Sequence, residues 1–126
     1  MNVPEDLRYS SDHEWVKPEG ETVRIGITDY AQDALGDIVF VQLPEPCITV
    51  AASDPLGEVE STKSVSDIYA PISGRVVEVN AALADSPETL NGDPYGAGWI
   101  CVIEPTDASD MAALMDATAY TELISS

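Results

Sequence analysis

A primary amine in a polar turn is the group in this chain best placed to do chemistry. The sequence holds two lysines, Lys17 and Lys63. Lys63 stands within Gly57-Glu58-Val59-Glu60-Ser61-Thr62-Lys63-Ser64-Val65-Ser66-Asp67-Ile68, between two strand-like runs. The small hydroxyl residues Ser61, Thr62 and Ser64 flank it, with Glu60 just before them. A lysine in such a turn cannot pack into a core and is reachable from all sides. A modifying enzyme needs that geometry to seize one lysine and attach a prosthetic arm. The plain alternative is a solvated turn lysine, against which the whole segment argues. No Ser-His-Asp set, nucleotide-binding loop or metal-ligand cluster appears, so an enzyme with its own active site is disfavoured. His13, the sole histidine, reads as a structural residue at a strand end rather than an acid–base group.

Composition narrows the partners. A chain of 126 residues, 44% apolar, reads as a single domain spanning 1–126 with a modest core. Its formal charge is −18, from 23 acids against 5 Lys and Arg. That excess argues against nucleic acid, which requires clustered cations, and against anionic membrane surfaces. It suits partners with basic docking surfaces. The acids are spread along the chain, as on a solvated surface. Cys47 and Cys101 are far apart with no metal-like spacing, and read as buried thiols rather than a bridge. The acidic, apolar-poor N-terminus resembles neither a signal peptide nor a transit peptide, so a cytoplasmic location is expected. No apolar run is long enough to cross a bilayer.

The elements that must hold Lys63 are mostly short strands. Alternation and β-branching predict them at 13–17, 22–27, 37–43, 48–50, 56–61, 64–69, 74–79 and 99–103. Thr28 or Asp29 can cap a short helix through Leu35, with Gly36 suited to its end. Near the C-terminus the period changes. Ser109 or Asp110 can cap a helix on which Met111, Leu114, Met115, Ala119 and Leu123 form an apolar stripe. A faint repeat relates Gly36-Asp37-Ile38-Val39-Phe40-Val41 to Gly74-Arg75-Val76-Val77-Glu78-Val79, and Asp54-Pro55-Leu56-Gly57 to Asp93-Pro94-Tyr95-Gly96. The expected fold is therefore mostly β: a flattened barrel or sandwich of two pseudo-symmetric halves, with Lys63 on a hairpin tip, plus a short helix and a C-terminal helix.

Several segments, in order, resemble the H protein of the glycine cleavage system: His13-Glu14-Trp15, Gly26-Ile27-Thr28-Asp29-Tyr30-Ala31, Leu35-Gly36-Asp37-Ile38-Val39-Phe40-Val41, the Lys63 segment from Gly57 to Asp67, Ala70-Pro71-Ile72-Ser73-Gly74, Val77-Glu78-Val79-Asn80 and Asp93-Pro94-Tyr95-Gly96-Ala97-Gly98-Trp99. The resemblance runs from about Leu7 to Leu123. In that family the lysine of Glu-Ser-x-Lys-x-x-Ser-Asp carries lipoate through an amide, which here implies Lys63. The neighbours Glu60, Ser61, Thr62 and Ser64 are the implied recognition turn. Cys47 stands where the family usually turns with glycine, so a different loop is expected there.

The resemblance implies a non-catalytic carrier. Its lipoyl arm would accept the aminomethyl group of glycine at a pyridoxal-phosphate glycine decarboxylase (P protein) and yield the one-carbon unit to a folate-dependent aminomethyltransferase (T protein). Dihydrolipoamide dehydrogenase (L protein) would then reoxidise it. A lipoylating enzyme is the fourth implied partner. Tethering raises the local concentration of the reactive group at each docked site. Glu14 and Asp67 are the implied contacts for the cationic end of the loaded arm, with ordinary surface acids as the alternative. Two neighbouring readings stay open: a lipoyl relay protein that donates lipoate to other enzymes, and a biotinyl carrier, which usually has methionines beside its lysine where Thr62 and Ser64 stand here.

Overall fold

A computed structural model describes residues 3–125. Nine strands form two antiparallel sheets. The six-stranded sheet runs in the order β1 (Arg8–Tyr9), β2 (Glu14–Glu19), β3 (Thr22–Ile27), β9 (Cys101–Pro105), β8 (Gly74–Val79), β5 (Thr49–Val50). The three-stranded sheet runs β4 (Ile38–Gln42), β6 (Pro55–Ser61), β7 (Val65–Tyr69). This is a sandwich rather than a closed barrel. The principal core lies between the sheets and draws on both, with Val16, Ile25, Ile103 and Val76 from one and Ile38, Val41, Val59 and Ile68 from the other. Those side chains point between the sheets, while β2 and β9, in the sheet covered on both faces, carry runs of buried residues in place of alternation.

A second apolar cluster covers the opposite face of the six-stranded sheet: Leu7, Tyr9, Trp15, Ala117 and Tyr120. Trp15 pairs in register with Gly26, where any Cβ would come within 2.7 Å of the indole. The missing side chain at Gly26 is what lets the ring lie flat on the sheet. The indole N–H donates to the Pro94 carbonyl at 2.9 Å, and Tyr9 stacks on Tyr120 with centroids 4.6 Å apart.

The first helix, α1 (Asp29–Leu35), has the expected limits. Thr28 caps it, its hydroxyl accepting from Ala31 N–H, and Gly36 ends it at φ 85°. The C-terminal expectation needs correction. In place of one helix there is a 3₁₀ segment, Ala108–Ala113, capped by Asp107, then an extended link, then α4 (Ala117–Ser125). The link is fixed because Met115 and Tyr9 exchange backbone hydrogen bonds of 2.8 Å in each direction. That pairing interrupts the helical period. The buried positions of α4 are Ala117 and Tyr120, whereas Leu123 is exposed.

Two further helices, α2 (Ala82–Asp85) and α3 (Thr89–Gly92), and strand β1 are too short to leave a periodic signature. Of the two repeated segments only the first has a structural counterpart, since 55–57 lie in β6 whereas 94–96 form a turn before β9. β4 pairs β6 and β8 pairs β9, each antiparallel, and a register irregularity falls between Ile38 and Phe40 in one and between Val76 and Glu78 in the other. Those positions share the spacing that relates Gly36 to Gly74. The cysteines are both free, Cys101 buried as expected but Cys47 exposed. Cys47 adopts φ 70°, so the turn keeps the left-handed backbone that glycine would favour.

Candidate functional site

Lys63 occupies the exposed tip of the hairpin between β6 and β7. Ser61 builds the turn. Its hydroxyl oxygen accepts from the N–H groups of Lys63 and Ser64, each at 3.1 Å, and donates to the Ser64 carbonyl at 3.2 Å. The backbone closes the same loop, Ser61 N–H donating to Ser64 O at 2.8 Å. One serine side chain thus satisfies two turn donors that have no strand partner, a local use of hydroxyl oxygens that suits turns. Thr62 and Ser64 are exposed, and Glu60 is half-buried on β6. Ser66 lies on exposed β7.

The hairpin is tied down from the neighbouring strand. Thr62 N–H donates to Asp37 O at 3.1 Å. On either side of Asp37, Asn91 of α3 grips the chain. Its amide nitrogen donates to the Gly36 carbonyl at 2.8 Å and to Gln32 Oε1 at 3.0 Å, and its amide oxygen accepts from Ile38 N–H at 2.9 Å. Gly36 also lies beneath the lysine. A Cβ there would stand 3.2 Å from Lys63 Cε and 3.6 Å from Nζ. Asn91 and Asp37 gave no sequence signal. Their bonds to the hairpin region are backbone contacts or span more than fifty residues.

Glu14 and Asp67 occupy contrasting environments beside one residue, Tyr69. Asp67 is exposed on β7. Its carboxylate accepts from Tyr69 Oη at 3.5 Å, and its charge is the main cause holding the Tyr69 phenol above its ordinary pKa. Glu14, at 2% exposure, is no surface acid. Its oxygens accept from Ser10 Oγ at 2.5 Å and, more weakly, from Tyr69 N–H at 3.4 Å. Burial pushes its pKa up to about 7, with the two hydrogen bonds pulling the other way. At neutral pH this carboxyl sits near its midpoint. Ser10 and Tyr69 join the site on structural grounds. Tyr69 was findable in principle, because it lies two residues beyond Asp67 on one strand and so on the same face.

Close by, a depression of about 270 Å³ is lined by Ser10, Asp12, Ser53, Pro71 and Met115, among others. His13 lies on the other side of Glu14, at φ 70°. Its Nδ1 is 2.8 Å from Tyr120 Oη, which in turn is 2.7 Å from Thr28 Oγ1. Burial lowers the His13 pKa, opposed by Asp12. This ring joins β2, α4 and the cap of α1, in keeping with a structural role. Among the described residues no group of His, Cys, Asp and Glu is arranged to hold a metal, and no helix is long and apolar enough to cross a membrane.

These features define a class: β sandwiches that offer one lysine on the tip of a hairpin. Comparison with known proteins places the chain within it. A sequence model of the glycine cleavage H-protein matches residues 7–126. The glycine cleavage system H protein of Halalkalibacterium halodurans is 58% identical over 124 residues, which cover 98% of this chain and 97% of that protein. The H protein of Bacillus subtilis is 58% identical over 123 residues, with 98% and 97% covered. The crystal structure of an H protein from Mycobacterium marinum superimposes with a TM-score of 0.90 at 48% identity, over 98% of this chain and all of that one. The chain belongs to the glycine cleavage H-protein family, a membership that supports a lipoyl-carrier role.

Proposed function

We propose that this protein carries lipoate on Lys63 and shuttles the aminomethyl group of glycine from the decarboxylase to the folate-dependent aminomethyltransferase, after which dihydrolipoamide dehydrogenase reoxidises the arm. The observation that carries this reading is the placement of Lys63, alone of the five Lys and Arg residues, on an exposed hairpin tip in a chain of this family. The residues present fit the group. The turn is made by Ser61 and the backbone, so the amine has no structural duty to give up. Gly36 leaves an open floor for the stem. When bound, lipoate supplies a disulfide able to accept and release both electrons and a one-carbon cargo.

The protein's part is to present the arm and to shelter its cargo. Asp67 is the exposed carboxylate a cationic cargo would meet, and Glu14 lies behind it across Tyr69. An approaching ammonium would favour the ionised form of Glu14 and draw its pKa down. A double variant, Glu14→Gln with Asp67→Asn, should still be lipoylated and reoxidised, but should lose labelled aminomethyl cargo to water a few-fold to about tenfold faster, in line with a partly screened charge-assisted contact. Equal release rates would leave both acids without this role. The primary test is intact mass of the protein from its native source. A lipoyl adduct on Lys63 is expected, and a biotinyl adduct or none would overturn the reading.

A further inference from the structure

The outer face of the three-stranded sheet carries an unpartnered apolar strip beside the lysine. In register, Phe40 of β4 pairs with Glu60 of β6, which pairs with Val65 of β7. Two residues further from the tip, Gln42, Glu58 and Asp67 align in the same way. Paired residues in an antiparallel sheet share a face, and Val41 and Val59 of the row between are buried, so both of these rows point outward. Phe40 is 48% exposed, Val65 56%, and Val39, at the irregularity in β4, 54%. Leu123 of α4 is the other large apolar side chain exposed among the described residues. Three of the four large apolar side chains exposed among the described residues are thus gathered beside the hairpin tip.

Every charge on these two rows is negative. β4, β6 and β7 contain no lysine or arginine, and Glu58, Glu60 and Asp67 line the two rows. The remaining cations, Arg8, Lys17, Arg24 and Arg75, all belong to the six-stranded sheet. An aromatic and two branched side chains among carboxylates fit a partner with an apolar recess and a basic rim.

We infer that this face is the docking surface for the enzyme that attaches the arm to Lys63. This rests on the carrier reading above. Enzymes that use the finished arm act at its far end and need not touch the hairpin. The attaching enzyme must bring an activated acyl carbonyl to Nζ itself. There the deprotonated amine attacks, a C–N bond forms, the activating group departs with its electron pair and the nitrogen sheds a second proton. A lysine stem is short, so the walls of that active site must close over the strands flanking the tip. Phe40 and Val65 lie where those walls would meet the sheet.

The test compares apo-protein with a Phe40→Ser, Val65→Ser double variant, using a purified lipoate-attaching enzyme and activated lipoate, with intact mass as the readout. KM for the variant should rise about tenfold or more, as for loss of a buried aromatic anchor, with kcat within about twofold. Glu58→Lys, which keeps both apolar residues, should also raise KM, and Leu123→Ser should not. Once lipoylated at high enzyme concentration, the double variant should be reoxidised by dihydrolipoamide dehydrogenase at the wild-type rate. Unchanged KM in both face variants, an equal loss in Leu123→Ser, or a matching fall in dehydrogenase turnover would overturn the inference. Failure of wild-type protein to gain a lipoyl adduct at Lys63 would overturn the carrier reading as well. A modified wild type with equally good face variants would remove the docking surface alone.

Discussion

The hairpin and the Glu14 region handle polar groups in opposite ways. At the hairpin the lysine amine is exposed, and order comes from the backbone and Ser61 beneath it. Around Glu14 the carboxyl is buried and takes its order from the Ser10 hydroxyl four residues before it and from the backbone N–H of Tyr69 on the other sheet. The amine at the tip is reachable because only Gly36, with no side chain, lies beneath its stem. The buried carboxyl is tuned because nearly everything packs on it. One sheet can thus present a nucleophile while the end of the other holds a carboxyl near its midpoint at neutral pH.

The sharpest way to break the contrast is Lys63→Arg. Arginine keeps the charge and the exposed tip, but its guanidinium is a poor nucleophile toward an acyl donor. Reconstituted glycine cleavage should fall to background while the thermal midpoint stays within about two degrees, since surface substitutions rarely move stability by more than about 0.5 kcal/mol. Substantial activity in the variant would detach the function from the hairpin.

Glu14→Gln tests the other side. A folded-state pKa of about 7 against an ordinary 4.5 means that the folded protein binds more protons between those values. The associated stability is fully present below pH 4.5 and is lost as pH rises through 7. The variant has no such loss, so it should gain on the order of 2–3 kcal/mol relative to wild type between pH 4.5 and 8. Burial of His13 lowers its pKa and acts in the opposite sense below about 6.5. It cancels in the difference between the two proteins. Urea titrations across that range would read the effect, and parallel curves would mean that Glu14 titrates as an ordinary carboxyl.

Asn91→Ala probes how far the hairpin depends on support from below. It removes the acceptor for Ile38 N–H and the donor to Gly36 O. A loss of about 1–3 kcal/mol is expected from leaving such groups unpaired, together with slower modification of Lys63. Unaltered modification in a destabilised variant would show that the hairpin is self-sufficient. The smallest effect is expected from salt. The apparent KM of the partner enzymes for this carrier should rise a few-fold between low and physiological ionic strength, where screening shortens electrostatic reach to about 8 Å. A flat response would remove steering by the net negative charge of the chain.

The contrast also explains what could be read from the chain. The hairpin was legible because its determinants are consecutive: two alternating strands, a run of small polar residues and one lysine. The same holds for α1, whose Thr28 cap and Gly36 terminus flank its seven residues. Glu14 as a buried group was not legible, since Tyr69 reaches it from fifty-five residues away and its own strand offers no pattern that distinguishes it from an edge acid. The C-terminal segment misled for a related reason. Its apolar spacing is near-helical, but the backbone pairing of Met115 with Tyr9, over a hundred residues away, outweighs local propensity.

Gly36 has one more consequence, for the entropy of the lysine. A free lysine side chain has up to about 2 kcal/mol of rotamer freedom to lose on being held. Here the stem lies across a glycine that offers no Cβ to lift it, close enough that a methyl group would press on Cε. The chain is therefore partly settled in one direction before any partner arrives. An enzyme that captures the amine meets a narrowed set of conformers, and the glycine that closes α1 also serves as the rest on which the reactive stem is pre-aimed.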